Sequence, residues 1–486
     1  MSTIKPAFAD LAGVEKSLPS LPSVVGLRER IRERLLAAKH SSVLVVLDDD
    51  PTGGQTTHDI PVITTWDERA LAQLLQEEVP VFYVLTNSRA HSREHAVALA
   101  REVGRNLRRA ADAIGLDVVV ISRSDSTLRG HFPAEVDALA DSLGGDFDGC
   151  VIVPFFPEGG RYTIGNVHYV VEGEKLVPAA ETEFARDPVF GYRHSDLREW
   201  VEEKTGSRVR AADVLAISIE DLRLGGPERV AELLSKVSGR RFVIVNAAEY
   251  GDLDLFVTGV LEAESKGKRF IYRTAASFVK VRAGIGDRGL LTRSEMLGHR
   301  YGPGLVVIGS YVARTTEQLQ VLLSNLPLHA VEFPVDAIMD DRKRQDAITA
   351  VTEVVDGALL LGRDAVLYTS RRVWREGEFL RLGEMISQAL AAVVRRLSVQ
   401  PMWMVSKGGI TSSVLATDAL NVRRAQVLGQ ILPGVPVWQL GPEARYPGMP
   451  YVVFPGNVGG PDALLKAVAI LHGGGNSPFH RCLSEH

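Results

Sequence analysis

Val43-Leu44-Val45-Val46-Leu47 runs without a break into Asp48-Asp49-Asp50-Pro51-Thr52-Gly53-Gly54-Gln55-Thr56. Five consecutive apolar residues, three of them Val, predict a strand buried on both faces. The acidic triplet and the Gly-Gly pair then end it in a polar turn. A strand buried on both faces needs helices above and below it, so its partners are expected to be parallel strands joined by helical crossovers. The surrounding sequence repeats this unit. Val81–Leu85 ends in Thr86-Asn87, 118–121 in Ser122-Arg123, 151–153 in Pro154, and 242–245 in Asn246. Helical periodicity fills 91–113 and 133–143, with Pro133 suited to a first helical position. Polar residues thus gather at the carboxyl ends of the strands, where open α/β sheets bind ligands.

A second series starts near residue 304. Residues 305–308 end in Gly309-Ser310, 365–368 in Thr369-Ser370, and 402–405 in Ser406-Lys407, followed by Val435–Leu440 and 451–454. Met385, Ile386, Ala389, Leu390, Val393, Val394 and Leu397 form one apolar stripe at helical spacing. A last helix is expected from Pro461-Asp462 through Leu471, with a loose tail after it. Region 280–303 is rich in Gly and charge and carries no clear strand. The expected fold is therefore α/β with two domains, 1–285 and 300–486, each a largely parallel sheet flanked by helices. Region 160–230 is irregular, apart from a hairpin signal around 167–173.

The totals narrow the function. A chain of 486 residues is long enough for two or three cores. Its 45% hydrophobic and 24% charged residues are ordinary for a globular protein. A net charge of −5 offers no basic surface for a nucleic-acid partner. The two cysteines, Cys150 and Cys482, make neither a disulfide framework nor a zinc site. The amino terminus has no apolar signal core, and no run approaches the roughly 18 apolar residues of a membrane helix. A cytoplasmic enzyme without a membrane partner is the expectation.

Four constellations carry candidate chemistry. Asp48, Asp49 and Asp50 crowd three carboxylates at a strand end, which costs repulsion unless cations or hydroxyl donors offset it. That suits a general base or substrate clamp; the plain alternative is a solvated acidic turn. Ser124, Asp125, Ser126, Thr127 and Arg129 combine hydroxyls with a guanidinium group directly after a strand, a set suited to an anion or polyol. Gly160 and Arg161 repeat that chemistry more weakly in the 154–163 loop, as does Arg89 after Thr86-Asn87-Ser88. Lys407, Gly408, Gly409, Ile410 and Thr411 join a strand to a helix and can present free N–H groups to a phosphate. Gly309-Ser310 and Gly456-Asn457-Val458-Gly459-Gly460 supply similar loops. Neither a Walker A spacing nor a GxGxxG is present. His91 and His95 are four apart without a metal-binding motif and read as an exposed helical face.

Seven segments taken in order resemble the four-carbon acid sugar kinase family. They are LDDDPTGGQTTHD (47–59), TNSRA (86–90), SRSDSTLRGHFPAE (122–135), PFFPEGGRYTIGNVHYV (154–170), VIGSYVARTTEQL (307–319), SKGGITSS (406–413) and FPGNVGG (454–460). The resemblance implies an amino-terminal domain that binds a sugar acid, a carboxy-terminal domain that binds ATP, and catalysis in the cleft between them. It implies sugar-acid contacts from the Asp48-Asp49 turn, Arg89, the 124–129 loop and Gly160-Arg161. It implies nucleotide contacts from Ser310, Lys407 to Thr411, Gly456, Asn457 and Gly459. ATP and Mg2+ follow as cofactors, the metal bridging phosphate oxygens with no protein ligand assigned. Asp49 or Asp48 is the expected base, and Arg129 and Arg161 the carboxylate clamp. The partner is a small sugar acid, and a homodimer is entertained.

Many family members read Asp-Asp-Leu-Thr-Gly at the first loop. Here Asp-Asp-Asp-Pro-Thr-Gly marks a distinct subgroup, so tetronates, 3-oxo-tetronates and a branched 3-oxo-isoapionate all stay open as substrates. Two rival readings are a metal-dependent sugar-acid hydrolase or aldolase and a non-catalytic sugar-acid sensor.

Overall fold

The computed structural model describes residues 11–309, 313–370, 379–456 and 458–473. The chain divides into two compact units, Met1–Asp287 and Arg288–His486.

In the first unit the opening stretch forms β1 (Ser42–Asp48), buried along six of its seven residues. It is joined in one sheet by β2 (Ile60–Ile63), β3 (Val81–Leu85), β4 (Asp117–Arg123) and β5 (Gly149–Val153). A separate antiparallel sheet follows: β6 (Arg161–Ile164), β7 (Val167–Glu172) and β8 (Lys175–Pro178). It resolves the hairpin signal near 167–173. The main sheet is completed by β9 (Leu215–Ile217), β10 (Arg241–Val245) and β11 (Phe270–Thr274). Its order is β2-β3-β1-β4-β11-β5-β10-β9, and every pairing is parallel.

The chain leaves β1 toward β2 and β3 on one side and returns to β4 on the other. Strand order therefore reverses at β1, which leaves a crevice beyond its carboxyl end. β11 slots between β4 and β5, far from either in sequence. Its run Phe-Ile-Tyr-Arg-Thr buries Arg273 and Thr274, so it lacks the continuous apolar signature of its neighbours.

Helices cover the sheet where amphipathic patterns predict them. Helix Arg93–Asp112 is capped by the Ser92 side chain and buries Leu99, Val103 and Leu107. Helix Ala134–Ser142 begins just after Pro133, one residue later than the pattern suggests.

In the second unit, β12 (Leu305–Ile308), β13 (His329–Phe333), β14 (Ala365–Thr369) and β15 (Met404–Lys407) are followed by β16 (Arg424–Leu432), β17 (Val435–Leu440) and β18 (Pro450–Phe454). The order is β13-β14-β12-β15-β18-β17-β16. The first five strands of that order are parallel, but β17 runs antiparallel to both neighbours. The expected largely parallel sheet thus carries an antiparallel hairpin. β16 alternates half-buried and buried residues along its whole length, the period of a strand with one covered face. Helix Phe379–Arg396 carries the predicted stripe and buries Ile386, Leu390, Val393 and Val394.

Candidate functional site

The carboxyl ends of β1, β3, β4 and β11 meet in the first unit. β3 and β4 grip the end of β1 through backbone bonds: Thr86 N donates to Asp48 O at 2.9 Å, and Asp49 N to Arg123 O at 3.3 Å. This packing puts the acidic triplet among cations. Arg123 donates to Asp48 at 3.2 Å and lies 3.7 Å from Asp49. Arg89 bonds Asp50, lies 3.4 Å from Asp125 and 3.8 Å from Asp49. Crowded carboxylates are tolerated here because two guanidinium groups, one buried and one half-buried, offset them.

The three aspartates are nevertheless inequivalent. Asp48 packs against Gly53, where a Cβ would stand 1.5 Å from its Oδ2. Burial raises its carboxyl to about 7 despite Arg123, with the charges of Asp49 and Asp50 adding to the rise. Asp50 is half-buried; desolvation opposes its charge, but Arg89, Arg123 and the Thr52 hydroxyl more than offset that and hold it below its ordinary value. Asp49 Oδ2 accepts a 2.8 Å bond from Ser124 Oγ. Its buried Oδ1 has no hydrogen-bond partner, although both guanidinium groups lie within 4 Å. An unpaired buried carboxylate oxygen is costly and marks a place where a donor belongs.

The 124–129 loop closes the crevice. Asp125 accepts from Arg129 Nε at 2.7 Å and from the Thr127 hydroxyl. Burial works against its charge, but Arg129 and Arg89 hold it well below the usual carboxylate range. Ser126 contributes its carbonyl, which bonds His168 Nε2 at 2.7 Å. Burial pushes that imidazole down to about 4, so His168 is a neutral buttress under the loop.

Gly160 has φ +74° and packs against Val171, so it serves the tight turn that leads into β6. Arg161 beside it has no ion pair or side-chain hydrogen bond among the described residues. Its Nε is buried without a partner, and burial lowers its proton affinity. The Phe184 ring carries the guanidinium groups of Arg129 and Arg161 at 5.1 and 5.5 Å. Asp187 lies 3.7 Å from Arg129.

Several of these residues escape sequence reasoning. Phe184, Asp187 and His168 come from the irregular 160–230 region, and Arg273 from the unpredicted β11. Glu135 sits inside a quoted segment, but nothing in its spacing distinguishes it. It is buried, accepts a 2.6 Å bond from Ser88 Oγ, and is raised to about 7 by burial and by the Asp49 charge.

That rise from an ordinary 4.5 has a stability consequence. The folded chain binds the Glu135 proton more tightly than the unfolded chain. This contribution is therefore full below about pH 4.5 and lost as pH rises to about 7. Glu135→Gln, always neutral, is expected to gain melting temperature relative to wild type across that window. A difference that stays flat from pH 4 to 8 would contradict the assignment.

A cavity of about 680 Å³ opens at the opposite, amino-terminal edge of this sheet, lined by Ser42, Asp117, Phe147 and Phe270 among others. It contains none of the candidate site residues, and the convergent polar groups lie at the carboxyl edge.

In the second unit, adjacent β12, β15 and β18 bring Gly309, the 407–411 stretch and the 455–460 loop side by side. A Cβ on Gly309 would lie 2.3 Å from Thr411 Oγ1, so the first two loops touch. Gly408 takes φ +112° and donates to Phe454 O at 2.9 Å. Ile410 is exposed, whereas Gly409 starts a helix of six residues, Gly409–Val414. Lys407 is fully buried. Its ammonium donates to Pro455 O at 2.6 Å and Gly456 O at 3.3 Å, and lies over the Phe454 ring. Burial, helped by the charge of Arg314, lowers it to about 7. Ser310 and Asn457 lie outside the described residues.

Residues 44–282 match the family model described as a sugar-binding N-terminal domain, and residues 305–464 the model described as a nucleotide-binding C-terminal domain. The chain belongs to the four-carbon acid sugar kinase family. D-erythronate kinase of Heliobacterium modesticaldum is 26% identical over 81% of this chain and 89% of its own. D-threonate kinase of Bordetella bronchiseptica is 27% identical over 87% of this chain and 96% of its own. The crystal structure of a DUF1537 protein of Haemophilus influenzae shares the fold, with a TM-score of 0.59 and 17% identity over 88% of this chain and 100% of its own. The acidic crevice thus lies within the residues that match the sugar-binding model, and the glycine loops within those that match the nucleotide-binding model. No helix among the described residues is long and apolar enough to cross a membrane.

Proposed function

We propose that this four-carbon acid sugar kinase transfers the γ-phosphoryl group of ATP to a hydroxyl of a short sugar acid such as a tetronate. The observation that carries the reading is Asp49 Oδ1, a buried carboxylate oxygen without a hydrogen-bond donor among the described residues. Asp49 supplies the base and Arg161 a site for the substrate carboxylate. Both curated relatives bear the names of kinases for four-carbon acids.

In the proposed step the substrate hydroxyl gives its proton to Asp49 Oδ1 as its oxygen bonds the γ-phosphorus. The bond from that phosphorus to the β–γ bridging oxygen breaks, and ADP leaves. Phosphoryl transfer of this kind relies on positioning and charge stabilisation. Ser124 fixes the other Asp49 oxygen, so Oδ1 is aimed without rotation of the carboxylate. Arg129 already serves Asp125, which leaves Arg161 the stronger carboxylate anchor. Asp48, paired with Arg123 and enclosed by Gly53, holds the turn.

Among the described residues no group of three or more His, Cys, Asp or Glu side chains is placed to hold a metal ion. Mg2+ carried by ATP would supply charge neutralisation on the phosphates. Each residue of the Asp48–Asp50 run is engaged by Arg123, Ser124 or Arg89. No observation favours a hydrolase or aldolase built on a metal at that run.

The test is ADP release by the purified chain over a panel of D- and L-tetronates, 3-oxo-tetronates and branched oxo-acids. Release that requires one of these acids is expected. Binding of an acid with no ADP release would instead identify a sensor.

A further inference from the structure

The 455–460 loop of the second unit is lopsided in its hydrogen bonding. Five of its carbonyls are occupied by buried or half-buried side chains. Lys407 Nζ takes Pro455 O at 2.6 Å and Gly456 O at 3.3 Å. Thr315 Oγ1 takes Gly456 O at 3.4 Å. Gln318 Nε2 takes Val458 O at 3.2 Å, Gly459 O at 3.4 Å and Gly460 O at 2.8 Å. Arg314 adds a bond to Gly459 O at 3.3 Å. By contrast, the N–H groups of Gly456, Val458, Gly459 and Gly460 have no acceptor among the described residues. Consecutive free N–H groups form an anion-binding concavity. In most loops carbonyls compete for the same space and weaken such a site.

We infer that Gln318, with Thr315 and Lys407, acts as a set of positioning residues that draw the loop carbonyls into the protein and leave the amides of Gly456, Val458, Gly459 and Gly460 free for the phosphates of ATP. This rests on the kinase reading. Gln318 suits the task because it is fully buried and its one amide group spans three consecutive carbonyls. Gly459 is required at φ +81°, and a Cβ there would stand 2.4 Å from Ala463 Cβ. Lys407, which the motif alone offers as a phosphate ligand, is committed to carbonyls instead.

Calorimetric titration of the intact chain with a non-hydrolysable ATP analogue and, separately, with adenosine tests this. Gln318→Met keeps the volume and removes the donor. It is expected to weaken the ATP analogue about tenfold, the worth of one to two hydrogen bonds, while adenosine binds as in wild type. Thr315→Val, which removes a single clasp, is expected to give a smaller loss with the same selectivity, and it stands in if Gln318→Met does not fold. Equal losses for both ligands, or no loss for either, overturn the inference. Failure of the wild-type chain to bind the ATP analogue overturns the kinase reading beneath it, a result that is distinct from either.

Discussion

Asp49→Asn is expected to lower sugar-acid-dependent ADP release about 10²–10⁴-fold, the usual worth of a positioned general base. The amide keeps the acceptor for Ser124 but cannot take a proton at the position of Oδ1. Binding of ATP and the melting temperature should change little, because Arg89 and Arg123 retain their close partners in Asp50 and Asp48. Asp48→Asn should behave differently. Asp48 is raised to about 7 by burial and bonded to Arg123, so its replacement acts mainly through the turn and through Arg123. A turnover number that survives Asp49→Asn would remove Asp49 from the role of base.

Arg161→Ala is expected to raise KM for the sugar acid about 100-fold and to leave KM for ATP unchanged. That factor corresponds to about 3 kcal/mol, the upper range for hydrogen bonds to a charged group. The prediction follows from an imbalance: Arg129 is held by Asp125 and approached by Asp187, whereas Arg161 lies over the Phe184 ring with no ion pair or side-chain hydrogen bond among the described residues. Arg161→Lys should recover part of the loss, since an ammonium restores the charge but not the planar fork that meets both carboxylate oxygens. An unchanged KM for the acid in Arg161→Ala would show that the carboxylate is held elsewhere.

Arg161 also shows how far sequence reading reaches. The Gly160-Arg161 pair is visible as a turn bearing a cation, yet a cation in a loop is ordinarily solvated. That its guanidinium lies over Phe184, twenty-three residues away in a stretch without periodicity, is not visible in the Gly160-Arg161 pair itself. β11 was illegible for a related reason. A central strand normally announces itself by a continuous apolar run, but the buried polar residues Arg273 and Thr274 break that run. Lys407 is the converse case. Next to Gly408-Gly409 it looks like a phosphate ligand, and only the path of the 455–460 loop reveals that its charge is spent on backbone carbonyls.

The sequence by itself determined that two α/β units follow one another, that polar loops end their strands, and that those loops carry a family signature. Apolar runs and glycine turns are local features, and burial of a strand on both faces writes itself into consecutive residues. Tertiary structure alone decided which aspartate has a free oxygen, which arginine lacks a partner, and which glutamine turns a loop's carbonyls inward. Those properties depend on what strands and loops distant in sequence leave unpaired when they pack, and a hydrogen bond that is not made leaves no trace in the order of residues.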